Sequence, residues 1–264
     1  MKLIAKSAAL ISVMVAGSVA AQQASPLPVM EIVERAYKTC YYPGDDAQRK
    51  ARMMIVDKDG NKQLRQFNVF RKDKEDAGDQ NFLVVFERPS DVRGTVFLVN
   101  KHIASDDDRW LYLPGLDLEK RISASDKRTS FVGSDYFYED ISGRNYRLDN
   151  YELASEDEQF YYINGTPKDA DSVEFVRFEM KIEKSIFMPR EITYFKAGDK
   201  AYRKVEILEV QEVDGYQTVF NSRISNLETG GYTIVEFKSP NFDVGLEESL
   251  FTSRSLRNPP KDLQ

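Results

Sequence analysis

The chain has 264 residues, near the upper limit for one hydrophobic core, and its 41% apolar and 30% charged residues describe a globular rather than a disordered protein. Thirty-seven Lys and Arg against 43 Asp and Glu give a formal charge of −6, so global electrostatic attraction to nucleic acid or to anionic lipid headgroups is not expected. One Cys forbids an internal disulfide, and one His excludes every two-histidine metal site and leaves His102 as the single candidate for histidine-dependent chemistry.

Met1-Lys2 and Lys6 form a basic start. The apolar run centred on Leu10 to Val15 ends in Gly17-Ser18-Val19-Ala20-Ala21. That run is too short and too rich in small residues to span a bilayer stably. It reads as a signal peptide cleaved after Ala20 or Ala21. The expected organisation is a signal peptide over 1–21 and one exported domain over 22–264, with the periplasm as its destination. No Cys sits at the cleavage point, so no lipid anchor is expected.

After a proline-rich start, Val29, Ile32, Val33, Ala36, Tyr37 and Cys40 fall on one face of an amphipathic helix, with Pro28 at its beginning. Cys40 then reads as a small core hydrophobe. From Ala51 the period becomes that of strands. Arg52 to Asp57 leads through the turn signal Lys58-Asp59-Gly60-Asn61 to Leu64–Arg71, and Asn81–Glu87, Val92–Lys101 and Arg109–Leu113 follow. Further strand patterns run from Tyr146 to Lys238, with turns at Asn164-Gly165, Gly198-Asp199, Asp214-Gly215 and Gly230-Gly231. Roughly ten or eleven strands, joined by turns too short for crossover helices, predict an antiparallel meander in one β-rich domain. In the stretch from Val173, the set Glu174, Val176, Phe178 and Met180 is expected to face the interior. Ser125–Asn145 has no sustained alternation and reads as a short-helix or loop insertion carrying aromatics onto the sheet. Leu246, Leu250 and Phe251 suit one or two helical turns near the end.

Phe82–Phe86 and Val96–Val99 are apolar on both faces, so those strands need cover on each side. The first helix and the 125–145 insertion can supply one side. A partner or a chain terminus must supply the other.

Rival chemistry finds little footing. His102 lies at a strand end before a turn, without a Gly-x-Ser-x-Gly elbow. Asp106-Asp107-Asp108 lacks the spaced ligands of a calcium loop and reads as a solvated hairpin tip. Glu139-Asp140 suits a capped or solvated segment as well as acid–base work. Trp110 with Tyr112 fits core burial or a protein-binding patch. No cofactor, metal site or catalytic residue is expected.

Three blocks occur in order: Phe86-Glu87-Arg88-Pro89-Ser90-Asp91-Val92-Arg93-Gly94-Thr95-Val96-Phe97-Leu98, then Asp107-Asp108-Arg109-Trp110-Leu111-Tyr112-Leu113-Pro114, then Lys120-Arg121-Ile122-Ser123 with Ser130-Phe131-Val132-Gly133-Ser134-Asp135-Tyr136-Phe137-Tyr138-Glu139-Asp140. Together they resemble the outer-membrane lipoprotein-sorting protein family, larger relatives of the periplasmic carrier LolA. The resemblance implies a mainly β fold with a few helices: a strongly curved antiparallel sheet, an incomplete barrel of LolA/LolB type, closed by helices over an apolar cavity. It implies a carrier or chaperone of lipid or lipoprotein acyl chains in outer-membrane biogenesis, and an RND-type membrane transporter as a possible partner. On that reading Phe97, Val99, Leu111, Leu113, Phe131, Tyr136, Phe137, Phe178 and Met180 border the cavity, though each also suits a packed core. Ile32, Val33, Tyr37, Tyr138 and Ile141 belong to its lid. The alternative is a non-catalytic periplasmic adaptor for such a transporter, to which the two-faced apolar strands would offer a surface.

Overall fold

The computed structural model describes residues 27–259; the signal-peptide pattern lies outside them. Helix α1 (Val29–Tyr41) precedes six strands, β1 (Asp46–Val56), β2 (Lys62–Asp73), β3 (Gln80–Arg88), β4 (Val96–Lys101), β5 (Asp108–Leu113) and β6 (Leu118–Ile122). A crossing segment, 123–148, carries the short helix α2 (Tyr138–Ser142). Seven strands follow: β7 (Asp149–Glu156), β8 (Phe160–Pro167), β9 (Arg177–Glu183), β10 (Met188–Lys196), β11 (Lys200–Val213), β12 (Tyr216–Asn226) and β13 (Tyr232–Phe242). Helix α3 (Arg254–Arg257) ends the described chain.

All thirteen strands form one antiparallel sheet in the order β6-β5-β4-β3-β2-β1-β13-β12-β11-β10-β9-β8-β7. Two meanders are therefore welded at β1 and β13, where Met53 faces Val235. The strands consecutive in sequence, β6 and β7, become the two outer edges, so the crossing segment must travel from one edge to the other.

That path requires curvature. Asp140 pairs with Arg203 on β11, while Ser142, two residues later, accepts a hydrogen bond from Lys101 on β4. In a flat sheet β4 and β11 would stand six strand spacings apart, roughly 29 Å. Moreover, one cavity is lined both by Phe67, Val69 and Phe82 of β2 and β3 and by Phe178, Met180 and Ile192 of β9 and β10. The sheet therefore curls until its two halves face each other. Bulges in the β1–β13, β2–β3, β7–β8, β9–β10, β10–β11 and β11–β12 pairs supply the local twist that such curling needs.

The two-faced strands are covered on both sides. Phe82, Val84, Phe86, Phe97 and Val99 pack on the concave face with Phe131 and Tyr138 of the crossing segment. Leu83, Val96 and Leu98 pack on the convex face against Leu246, Phe251 and Leu256. The chain's own C-terminal segment is the second cover. Trp110 is half-buried in that convex cluster, with Arg121 over its ring.

Several local expectations change. The strand expected from Val92 starts at Val96, because Pro89 to Gly94 make a turn in which the Arg93 and Gly94 N–H groups return to Pro89 and Phe86. Asn164-Gly165 is not a turn but lies within β8. Gly165 pairs with Phe178 across the sheet, and a Cβ there would fall 2.0 Å from the Phe178 ring. The glycine answers a close side-chain approach rather than a bend. Regular strand geometry begins only at Arg177, so the alternation expected before it fails: Phe175 is buried and Val176 is 48% exposed. The short strand β6 went unrecognised because four of its five residues are exposed.

A cavity beneath the first helix

Helix α1 presents Val33, Ala36, Tyr37 and Cys40 along one stripe to the concave side of the sheet, packing on β7, β10 and β12. It does not settle fully onto the strands. A cavity of about 220 Å³ remains, walled by α1, by Tyr136, Asp140 and Ile141 of the crossing segment, and by inward residues of β1, β2 and β9 to β13. Much of this wall is apolar: Met53, Phe67, Val69, Phe178, Met180, Ile192, Val205, Ile224 and Phe237 all contribute. Gly165 shapes it from behind, because its missing side chain lets the Phe178 ring lie against β8.

The roof is fastened at one corner. Buried Lys101 donates hydrogen bonds to Tyr37 Oη on α1 and to the Ser142 and Gly143 carbonyls at the end of α2. Gly143 has φ +74°, and a Cβ there would meet the Tyr41 ring at 2.4 Å. Helix α1, the end of α2 and strand β4 thus interlock. Burial lowers the Lys101 ammonium pKa to about 8.

Charged wall groups are mostly paired. Arg144 holds Asp149 at 2.9 Å, Lys204 holds Glu191 at 3.0 Å, and Arg203 holds Asp140. Arg71 donates to the carbonyls of Tyr41, Pro43 and Gly44, each at 2.7 Å. Arg49 on β1 is the exception. Its guanidinium lies 4.8 Å from the Phe237 ring centre, and burial lowers its pKa to about 10. Cys40 faces the same cavity, where burial pushes its thiol up to about 11.

Of the residues expected at the cavity, Tyr136, Phe178 and Met180 line it, with Val33, Tyr37 and Ile141 of the expected lid. Phe97, Val99, Leu111, Phe131 and Tyr138 are instead buried in the filled concave cluster, and Leu113 packs against that cluster. Rings from the crossing segment occupy their space: Phe131 lies 5.3 Å from Phe97 and 5.5 Å from Tyr138. Ile32 is fully buried where α1 meets Ile163 and Ile182. Phe137 borders a separate polar groove of about 920 Å³, together with Lys127, Arg128, Glu174 and Tyr202.

The acidic runs prove structural. Glu139 is 3% exposed and bound by Arg128 at 2.7 Å and by Arg144 at 3.5 Å. Burial pushes its carboxyl up, but these guanidinium groups outweigh that and hold it below the usual carboxylate range. Asp107 pairs with buried Arg109, and Asp108 with Arg121, so Asp106-Asp107-Asp108 is only partly a solvated tip. His102 Nδ1 lies 2.8 Å from Asp79, and Nε2 faces Asp108 at 3.7 Å. A carboxylate faces each ring nitrogen, and among the described residues no serine hydroxyl is hydrogen-bonded to the ring. Among the described residues no cluster of three or more His, Cys, Asp or Glu is arranged to hold a metal ion.

A family model described as an uncharacterized protein matches residues 78–258. No curated protein matches the chain. Among solved structures, a DUF1329 family protein from Desulfovibrio piger ATCC 29098 is 29% identical, with a TM-score of 0.79 over 87% of this chain and 99% of that one. A putative outer membrane lipoprotein-sorting protein domain from Vibrio parahaemolyticus is 24% identical, with a TM-score of 0.78 over 86% and 97% of the two chains. The LolA superfamily protein NE2245 from Nitrosomonas europaea is 18% identical, with a TM-score of 0.68 over 87% and 99%. The likeness to lipoprotein-sorting and LolA-like proteins read from the sequence blocks is borne out. With more than two thirds of its length inside the family model, the chain belongs to that family, and its open, thirteen-stranded sheet is similar in fold to the lipoprotein-sorting and LolA superfamily structures.

Proposed function

We propose that this protein is a non-catalytic periplasmic carrier or chaperone for lipid-like acyl cargo, with residues 22–264 acting as one carrier domain. The observation that carries this reading is the apolar cavity left between α1 and the concave sheet. Exposing an alkyl chain to water costs roughly 0.8 kcal/mol per methylene, so a chain of about fourteen methylenes represents on the order of 11 kcal/mol before ordering costs. A protein that moves such a chain between membranes must replace most of that environment. At about 220 Å³ the cavity is smaller than the roughly 300–1,000 Å³ of common ligand pockets. It suits part of a chain with the roof closed, and a longer chain once α1 shifts. Export is supported by the basic, apolar, small-residue pattern over 1–21, and carriage by the fold shared with the lipoprotein-sorting and LolA superfamily structures.

The adaptor reading drew its support from the two-faced strands at 82–86 and 95–99. Their convex faces are covered by Leu246, Phe251 and Leu256, which removes that support. The test is binding of a fluorescent fatty acyl probe to the purified mature chain. Saturable binding is expected, weakened at least about tenfold by Val219→Trp, which fills the wall of the cavity on β12. No saturable binding, or binding indifferent to this filling, overturns the proposal.

A further inference from the structure

Deepening the carrier reading and resting on it, we infer that the cargo is a single-chain amphiphile with an anionic oxygen head group, which Arg49 anchors inside the cavity. Arg49 sits where the β1–β13 register slips between Gln48 and Lys50, and bulges of this kind re-aim a side chain. It occupies an inward position on β1, in step with Ala47, Ala51, Met53 and Ile55. Val69 stands opposite it on β2, and the Phe237 ring lies against its guanidinium. The acidic groups of the wall, Asp140, Asp149 and Glu191, are committed to Arg203, Arg144 and Lys204. Arg71, the other cation close by, is held by three backbone carbonyls and paired with Asp73 at 3.3 Å. Among the described residues, Arg49 has neither an ion pair nor a hydrogen-bond acceptor.

Arg49 is half-buried, and a guanidinium turned toward a largely apolar hollow is partly stripped of water without gaining a protein acceptor, an arrangement that disfavours the empty state. A carboxylate or phosphate can accept two parallel N–H bonds from its fork and cancel its charge. An ester or amide carbonyl accepts a hydrogen bond but leaves the charge in place. The apolar wall beside Arg49 then receives the alkyl chain, so head and tail are recognised by adjoining parts of one pocket.

The experiment titrates the purified mature chain with dodecanoate, dodecyl phosphate and methyl dodecanoate at pH 8. At least one anionic ligand is expected to bind about tenfold or more tighter than the methyl ester. The better anion identifies the head group as carboxylate or phosphate. Arg49→Met is expected to bring the anion-to-ester ratio close to one, and Arg49→Lys to retain part of it. Saturable binding of all three ligands with equal affinity to the unaltered chain overturns the anchor while leaving the carrier reading standing. That comparison needs no variant to fold. Failure of all three to bind saturably overturns both.

Discussion

The two halves of the curled sheet bury their concave faces in different ways. Over β2 to β5 the crossing segment lands directly on the strands, and Phe131 fills the space between Phe86, Phe97 and Tyr138. Over β9 to β13 the cover is mainly α1, which meets the sheet through Ile32 and Val33 at one end and leaves a hollow beneath Ala36, Tyr37 and Cys40. The difference lies in the cover. An irregular segment can lower individual rings into a curved surface, whereas a straight helix bridges a concavity and touches it only in places. One half is thereby a filled core and the other keeps a hollow.

That contrast predicts unequal responses to truncation. Phe131→Ala is expected to lower the unfolding free energy by about 3–5 kcal/mol, the range for deleting a fully buried aromatic ring. Met180→Ala, on the wall of the hollow, is expected to cost less than about half of that, since one side of Met180 already meets open space. Urea unfolding of both variants beside the parent chain measures the pair. Equal losses would mean that the two halves are packed alike.

The outer face offers a second break point. Leu256 is 1% exposed and helps seal Leu83, Val96 and Leu98. Leu256→Ala is expected to cost about 2–3 kcal/mol, and Leu256→Asp to loosen the C-terminal cover enough to expose an apolar strip. Light scattering should then detect concentration-dependent self-association for the Asp variant but not for Phe131→Ala. If the two variants behave identically, the C-terminal segment is not the cover that separates this face from solvent.

Much of this architecture was legible because it rests on local periodicity. The strand-like runs of β2 to β5, the hairpin at Lys58-Asp59-Gly60-Asn61 and the demand of the two-faced strands for a second cover are properties of neighbours in sequence. What escaped depends on distant partners. The β1–β13 weld has no local signature. Gly165 resembles a turn residue until Phe178, thirteen positions away, is seen lying on it. Glu139-Asp140 suited a capped or solvated segment, and Asp140 does accept from the Phe137 N–H at the start of α2, but the burial of the pair was hidden because Arg128, Arg144 and Arg203 arrive from elsewhere. Phe97 and Phe178 are equally apolar, and only the landing point of the crossing segment decides that the first is packed and the second faces the hollow. Arg49 did leave a trace, as the single charged member of the inward series Ala47, Arg49, Ala51, Met53 and Ile55. Starting that strand at Arg52 left it outside the pattern.

Lys101 stands on the boundary between the halves, two residues beyond Val99 of the filled cluster and bonded to both parts of the roof. Its folded pKa, lowered by burial to about 8 from the ordinary 10.5, fixes the sign of a pH effect. Between those values the unfolded chain still holds a proton that the folded chain has released, so stability rises with pH across that window. The burden of burying the charge is complete below about pH 8 and lifted above about 10.5. Cys40, pushed up to about 11, acts in the opposite sense above about pH 9, where unfolding frees its thiol to ionise. Urea unfolding of the parent and of Lys101→Met at pH 7.5 and 9 therefore compares differences, in which the shared Cys40 contribution cancels. The parent is expected to gain on the variant by about 1 kcal/mol per pH unit. A flat difference would show that Lys101 reaches water through the hollow, and that the filled half does not enclose the fastening of the roof.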